Sequence, residues 1–248
     1  MKAYLYDGSF EGILTALYMA LRHDGRESRI EKGSDYRQDL FTEVVQVPTE
    51  PGLADRLFAL IRQEMSQQAL RHVFHVYLSE TIDAGTMLLP FLRKGFQIGP
   101  GVNGLITDHE IYPVLTLSRQ VSRERHRLLG LLRFQELQGG LLYARYEPDF
   151  HQTPLLAPHF TRRLASKPWI IHDLGRELAA CWDTREWIMR DLPAGDVPVL
   201  SSSETEFQLL WQRYFDHIAI RERSNPRLQR NFMPKKYWKH LVEKAGER

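Results

Sequence analysis

The sequence predicts an α+β protein, with a helix-rich N-terminal part opened by one strand and a second half of antiparallel hairpins packed by C-terminal helices. Three observations carry this expectation. Apolar residues recur at helical spacing through most of the first half. Strand–turn–strand patterns cluster after residue 128, and a capped amphipathic helix precedes a basic C-terminus.

Residues 2–6 form a short apolar run that stops at Asp7-Gly8-Ser9, a turn with a good helix N-cap. Phe10, Ile13, Leu14, Leu17, Tyr18 and Leu21 then repeat with the period of an amphipathic helix. Residues 22–40 are polar and charged and read as an exposed connection, and 42–47 read as a strand closed by Pro48 and Pro51. Three helices are predicted around 53–61, 70–77 and 87–92, before the glycines of 95–104 break the series.

A longer helix is predicted over 111–127, with Val114, Leu117, Val121 and Leu128 on one face and Arg119, Arg123 and Arg127 four residues apart on another. Residues 128–137 and 141–146 read as a hairpin about Gln138-Gly139-Gly140, and 169–172 with 177–182 as a second about 173–176. Ser203 and Glu206 make a capping box ahead of Phe207, Leu210, Trp211, Tyr214, Phe215 and Ile218. Pro234 suits the first turn of a terminal helix carrying Tyr237, Trp238, Leu241 and Val242. The expected organisation is one compact domain over 1–248, with a subdivision into a helix-rich 1–108 and a hairpin-containing 109–248.

The chain has 248 residues, 43% hydrophobic and 26% charged, which excludes collagen, coiled coil and wholesale disorder. Its single cysteine, Cys181, excludes an internal disulfide, a four-cysteine zinc site and an iron–sulfur cluster held by this chain alone, and favours a reducing, cytoplasmic setting. No apolar run is long enough for a membrane span, and the N-terminus lacks the apolar stretch of a signal peptide. The net charge of +2 hides a basic end: residues 221–248 hold nine Lys or Arg against three Glu. A second cluster at 119–133 places Arg119, Arg123, Arg125, Arg127 and Arg133 against Glu124 alone. Both are candidate anion-binding surfaces.

The familiar phosphate loop, zinc-protease, nucleophile-elbow and dinucleotide motifs are absent. Asp7 and Glu11 flank a strand-to-helix turn, where carboxylates hold a divalent cation or simply cap the helix. Asp108-His109-Glu110 and His72 with His75 are weaker metal signals, and no metal or other cofactor is assigned. Arg119, Arg123 and Arg127 share one helical stripe with His126 nearby, a pattern suited to phosphate contacts or to a solvated face. His159, Arg162 and Arg163 form a compact cationic cluster with Phe160. Arg230, Lys235, Lys236 and Lys239, interleaved with Tyr237 and Trp238, suit phosphate contact with base stacking.

The strings YDGSFEG (6–12), VSRERHRLLGLLRF (121–134), LYARYEPDF (142–150), LLAPHFTRRL (155–164), WIIHDLGR (169–176) and MPKKYW (233–238) resemble a bacterial family of DNA metabolism proteins. That family is a domain of unknown function, sometimes fused to a uracil-DNA glycosylase-like domain and encoded beside a radical SAM protein of DNA modification or repair. The likeness runs from residue 4 to about 242. It implies DNA and a radical SAM DNA repair protein as partners, and it carries over no catalytic residue. The chain lacks the cysteines of a radical SAM enzyme, which makes it the companion.

Three functions are open at this level. The first is a DNA-binding accessory protein working with a radical SAM partner, its arginine stripe and basic C-terminal segment on phosphates. The second is an enzyme acting on DNA, either a metal-dependent phosphodiesterase using Asp7 and Glu11 or a glycosylase or lyase using His126 or His159. The third is a protein-interaction module whose cationic surface docks an acidic partner.

Overall fold

A computed structural model describes residues 1–23, 28–38, 40–195, 200–218 and 225–244, with backbone alone at 202, 214–218 and 226. The chain divides into two compact units, Met1–Ser122 and Arg123–Arg248, and the boundary falls inside one long helix.

The first unit opens with β1 (Lys2–Tyr6), whose last four residues are all buried, as expected of a strand covered on both faces. Helix α1 (Phe10–Arg22) follows, with Ser9 Oγ accepting from the Gly12 amide at 2.9 Å as its cap. β2 (Ser28–Lys32) and β3 (Glu43–Gln46) each pair in parallel with β1, giving the order β2-β1-β3. β2 lies within the stretch expected to be an exposed connection. Its only apolar side chain, Ile30, is fully buried, so no alternation announces the strand.

Helices α2 (Pro51–Leu60), α3 (Gln67–Leu78) and α4 (Ala84–Ile98) occupy the three positions expected for them. A π-helical turn, Ile61–Met65, separates the first two, and a 3-10 turn, Gly99–Gly104, follows the third. The glycine break therefore begins at Gly99, while Gly95 stays helical against Met65. At the other end of α4, Thr86 Oγ1 takes the free edge of β2 by accepting from the Ile30 amide at 3.0 Å. One core joins these elements, with Tyr4, Ile13, Leu17, Ile30, Leu57 and Phe91 among its buried members.

The long helix α5 (Tyr112–Leu131) crosses into the second unit. It overruns the expected hairpin strand at 128–137, of which only β4 (Gln135–Glu136) is extended. Leu128 is the reason, because it completes the buried helical stripe and sits at the head of the second core. β4 and β5 (Leu142–Tyr146) still pair antiparallel about Gly139 and Gly140, whose φ angles of +87° and +82° favour glycine.

From β5 the chain crosses through α6 (Thr153–Arg163) to β6 (Trp169–Asp173), which pairs parallel to β5. β7 (Leu178–Trp182) and β8 (Trp187–Asp191) add antiparallel strands, completing the order β4-β5-β6-β7-β8. The fold is thus α+β, with the two expected hairpins, one parallel crossover between them and an added edge strand. The core of this sheet gathers Tyr146, Leu156, Phe160, Trp169 and Ile171.

Helix α7 (Ser202–Ile218) is capped two residues earlier than expected, Ser201 Oγ accepting from the Glu204 amide at 3.2 Å. The Glu204 carboxylate instead accepts from the Glu136 amide at 2.9 Å, and that long-range bond fixes the register. A short α8 (Pro226–Phe232) precedes two 3-10 turns, Lys235–His240 and Val242–Lys244, in place of a continuous terminal helix. Among the described residues no helix is long and apolar enough to cross a membrane.

Candidate nucleic-acid interface

The second unit collects most of the cations singled out in the sequence. On α5, Arg123, His126 and Arg127 are exposed while Val121, Glu124 and Leu128 are buried, so the helix turns one face inward and holds its arginines out. Arg119 is exposed one turn earlier, on the part of α5 that belongs to the first unit. On α6, Leu156, Ala157 and Phe160 are buried and Arg162 and Arg163 are exposed in the last turn, where cations also complement the helix dipole.

The two helices are tied by Arg125, whose Nε donates to the Leu155 carbonyl at 3.2 Å. That contact brings Arg125, Arg162 and Arg163 around His159. Burial lowers the His159 pKa, and the three guanidinium groups lower it further, so the ring is neutral at pH 7. Its Nε2 is buried and has no hydrogen-bond partner among the described residues. Arg119, Arg123, Arg125, Arg127, Arg162 and Arg163 form no ion pair with a carboxylate among the described residues.

Beside this face lies a cleft of about 560 Å³, lined by Arg133, Phe134, Arg163, Phe207 and Trp211 among others. Phe207 is 66% exposed and Trp211 42% exposed. Arg133 is already committed, donating to Glu243 at 2.6 Å and lying 5.8 Å from the Trp211 ring centre. Glu243 is held low in pKa by Arg133 against the opposing effect of its own burial. Arg163 is therefore the cation this cleft leaves available, next to two exposed aromatic faces.

The C-terminal lysines are arranged differently. Lys236 pairs with both Glu124 and Asp149, and Lys239 donates to Glu147 at 2.6 Å. The hydrogen bond from Lys239 lowers the Glu147 pKa. Burial outweighs Glu147 at His240 and pushes that imidazole down, so it adds no charge at neutral pH. Lys235 is exposed, 5.7 Å from the Trp238 ring centre, and Arg230 is exposed on α8. Arg221, Arg223 and Arg248 lie outside the described residues.

Glu124 is the residue that the sequence pattern did not single out. It is 4% exposed, and its carboxylate accepts from the Asp149 and Phe150 amides, Gln152 Nε2, the Tyr237 hydroxyl and Lys236 Nζ. It anchors the chain around β5 and the C-terminal segment to α5. An acid at a core position of an amphipathic stripe was the available signal.

The acidic candidates lie in the first unit. Asp7 Oδ1 accepts from the Ser9 amide at 2.9 Å and the Ser9 hydroxyl at 2.6 Å, and Oδ2 accepts from Thr49 Oγ1 at 2.9 Å. The Ser9 hydroxyl is the largest cause of its lowered pKa. Both oxygens brace the β1–α1 turn, while Glu11 is exposed in the first turn of α1. Asp108 and Glu110 each pair with Lys94 at 2.7 Å. His72 and His75 both turn Nδ1 towards Ser118 Oγ, at 2.7 and 3.0 Å. Among the described residues no three His, Cys, Asp or Glu side chains converge as a metal set. Cys181 is half-buried in β7, and burial raises its thiol pKa away from a reactive thiolate.

No curated protein matches the chain. Residues 83–243, from α4 to the last 3-10 turn, match a family described as a domain of unknown function, DUF4130, and the chain belongs to that family.

Proposed function

We propose that this protein is a DNA-binding accessory protein of DNA repair or modification that works with a radical SAM partner. The observation that carries the DNA contact is the set of exposed or half-exposed arginines on α5 and α6 of the second unit, none of them neutralised by a carboxylate among the described residues. Guanidinium groups left without partners at a surface are costly in mutual repulsion and favourable once a polyanion lies across them. Arg123, Arg127, Arg162 and Arg163 supply phosphate contacts in this reading. Phe207 and Trp211 offer faces on which an unpaired base stacks. The radical SAM partner rests on the family resemblance alone, as does the assignment to repair or modification.

The test is binding by fluorescence anisotropy to single-stranded, duplex, and uracil- or abasic-containing DNA over a salt series. Arg123→Ala/Arg127→Ala and Arg162→Ala/Arg163→Ala should each reduce the salt slope by about 1.5 to 2, the loss of two phosphate contacts. Negligible binding to every DNA, alone and with the radical SAM protein added, overturns the proposal.

A further inference from the structure

The first unit contains a second cationic cavity, unrelated to the surface just described. It has a volume of about 690 Å³ and is lined by Tyr18 and Arg22 of α1, Arg56 of α2, Glu64 of the π-helical turn, and Arg93 and Phe96 of α4. We propose that it binds a nucleoside 5′-phosphate.

Charge, shape and lining point to that ligand. Arg22 and Arg56 lie 5.7 and 5.9 Å from the centre of the Tyr18 ring, and Arg22 also donates to the Tyr18 hydroxyl at 2.9 Å. Tyr18 is buried, so one rigid ring orients two guanidinium groups. Neither Arg22 nor Arg56 has a carboxylate partner among the described residues. These two guanidinium groups match the two negative charges of a phosphate monoester, and Arg93 and Glu64 complete the polar lining.

Leu21, Leu57, Leu60 and half-buried Phe96 supply an apolar part of the remaining wall, beside His23 and Gln97, and Phe96 gives it an aromatic surface for a base. The volume lies within the usual range for small-molecule sites and accommodates a mononucleotide. Glu64 provides an acceptor for a ribose hydroxyl or an exocyclic amine. It stands on a π-helical turn, a backbone irregularity often found at functional sites.

The shared chemistry is a phosphate monoester on a nucleoside, available from a free nucleotide or from the 5′-phosphorylated end of a DNA strand. Calorimetric titration of the full chain with deoxyadenosine monophosphate should show binding, with deoxyadenosine at least tenfold weaker. Arg22→Gln/Arg56→Gln should weaken the nucleotide at least tenfold at an unchanged melting temperature, both residues being exposed. Arg162→Ala/Arg163→Ala should leave it unaltered, which separates this site from the DNA-binding surface. Competition by a 5′-phosphorylated oligonucleotide, but not by its 5′-hydroxyl form, assigns the site to a strand end; absence of competition assigns it to the free nucleotide. No binding at millimolar nucleotide, or equal affinity in the Arg22→Gln/Arg56→Gln variant, overturns the proposal.

Discussion

The Tyr237 hydroxyl donates to the Glu124 carboxylate at 2.6 Å, linking the last described turns of the chain to the centre of α5. Both residues are buried, and burial together with the nearby carboxylate raises the Tyr237 pKa well above its ordinary value. The tyrosine therefore remains a donor across the accessible pH range. Tyr237→Phe keeps the ring in place and removes one of the donors around a buried acid. Urea unfolding should show a loss of about 1–3 kcal/mol. A change below a few tenths would mean that Glu124 is satisfied without the C-terminal segment.

The same network separates two kinds of cation in this unit. Lys236 is held by Glu124 and Asp149, whereas Arg162 and Arg163 are exposed without an acidic partner among the described residues. Lys236→Ala should thus lower stability measurably and change the salt dependence of DNA binding by less than one phosphate contact. Arg162→Ala/Arg163→Ala should do the reverse. Equal salt slopes for the two variants would mean that Lys236 leaves its carboxylates to meet DNA.

These contrasts mark where the sequence is legible and where it is not. Helix α1, β1 and the β6–β7 hairpin are written in local periodicity and turn chemistry, because each buries its own apolar stripe. β2 is not, since one buried isoleucine in Ser28–Lys32 produces no pattern and the strand depends on β1 and Thr86. Glu124 reads as a counter-charge within an arginine cluster. Its burial depends on donors between 25 and 113 positions away, which no local spacing encodes. The arginine stripe was legible as a face of α5, but the neutralisation of Lys236 and Lys239 was not, because their acids lie between 87 and 112 positions away.

Close approach between α4 and the first sheet gives a further expectation. A Cβ on Gly85 would lie 2.5 Å from Ile30 Cγ2 and 2.7 Å from the Ile30 carbonyl oxygen. The side chain can shift, but the backbone oxygen belongs to a paired strand, so helix and strand must separate. Gly85→Ala should cost about 1–3 kcal/mol despite the better helix propensity of alanine. Thermal unfolding of the full chain measures it, and a gain in melting temperature would contradict this packing.

His72 predicts an acid sensitivity in the first unit. Burial pushes the His72 pKa down to about 4, with His75, Arg71 and Arg119 adding repulsion. The unfolded chain takes up this proton near the ordinary histidine pKa of about 6.5, so between those values the unfolded state binds more protons than the folded one. Stability must fall as pH drops through that window, by roughly 2 kcal/mol after allowance for partial exposure of the ring. His72→Gln should flatten this part of the stability profile. An unchanged slope in the variant would assign the acid loss to other groups.

His159 makes the DNA-binding proposal sensitive to pH in a definite direction. In the free protein its pKa lies below the ordinary histidine value because of burial and of Arg163, Arg125 and Arg162. A phosphate placed among those guanidinium groups screens their repulsion and favours the imidazolium, so the bound form has the higher pKa. Affinity should then rise as pH falls through the bound pKa, and level off below the free one. His159→Gln should remove that rise while leaving most of the affinity at pH 8, since the arginines remain. Nuclear magnetic resonance titration of the imidazole, with and without DNA, reads the same quantity directly. A pKa unmoved by saturating DNA would place the phosphates away from α6.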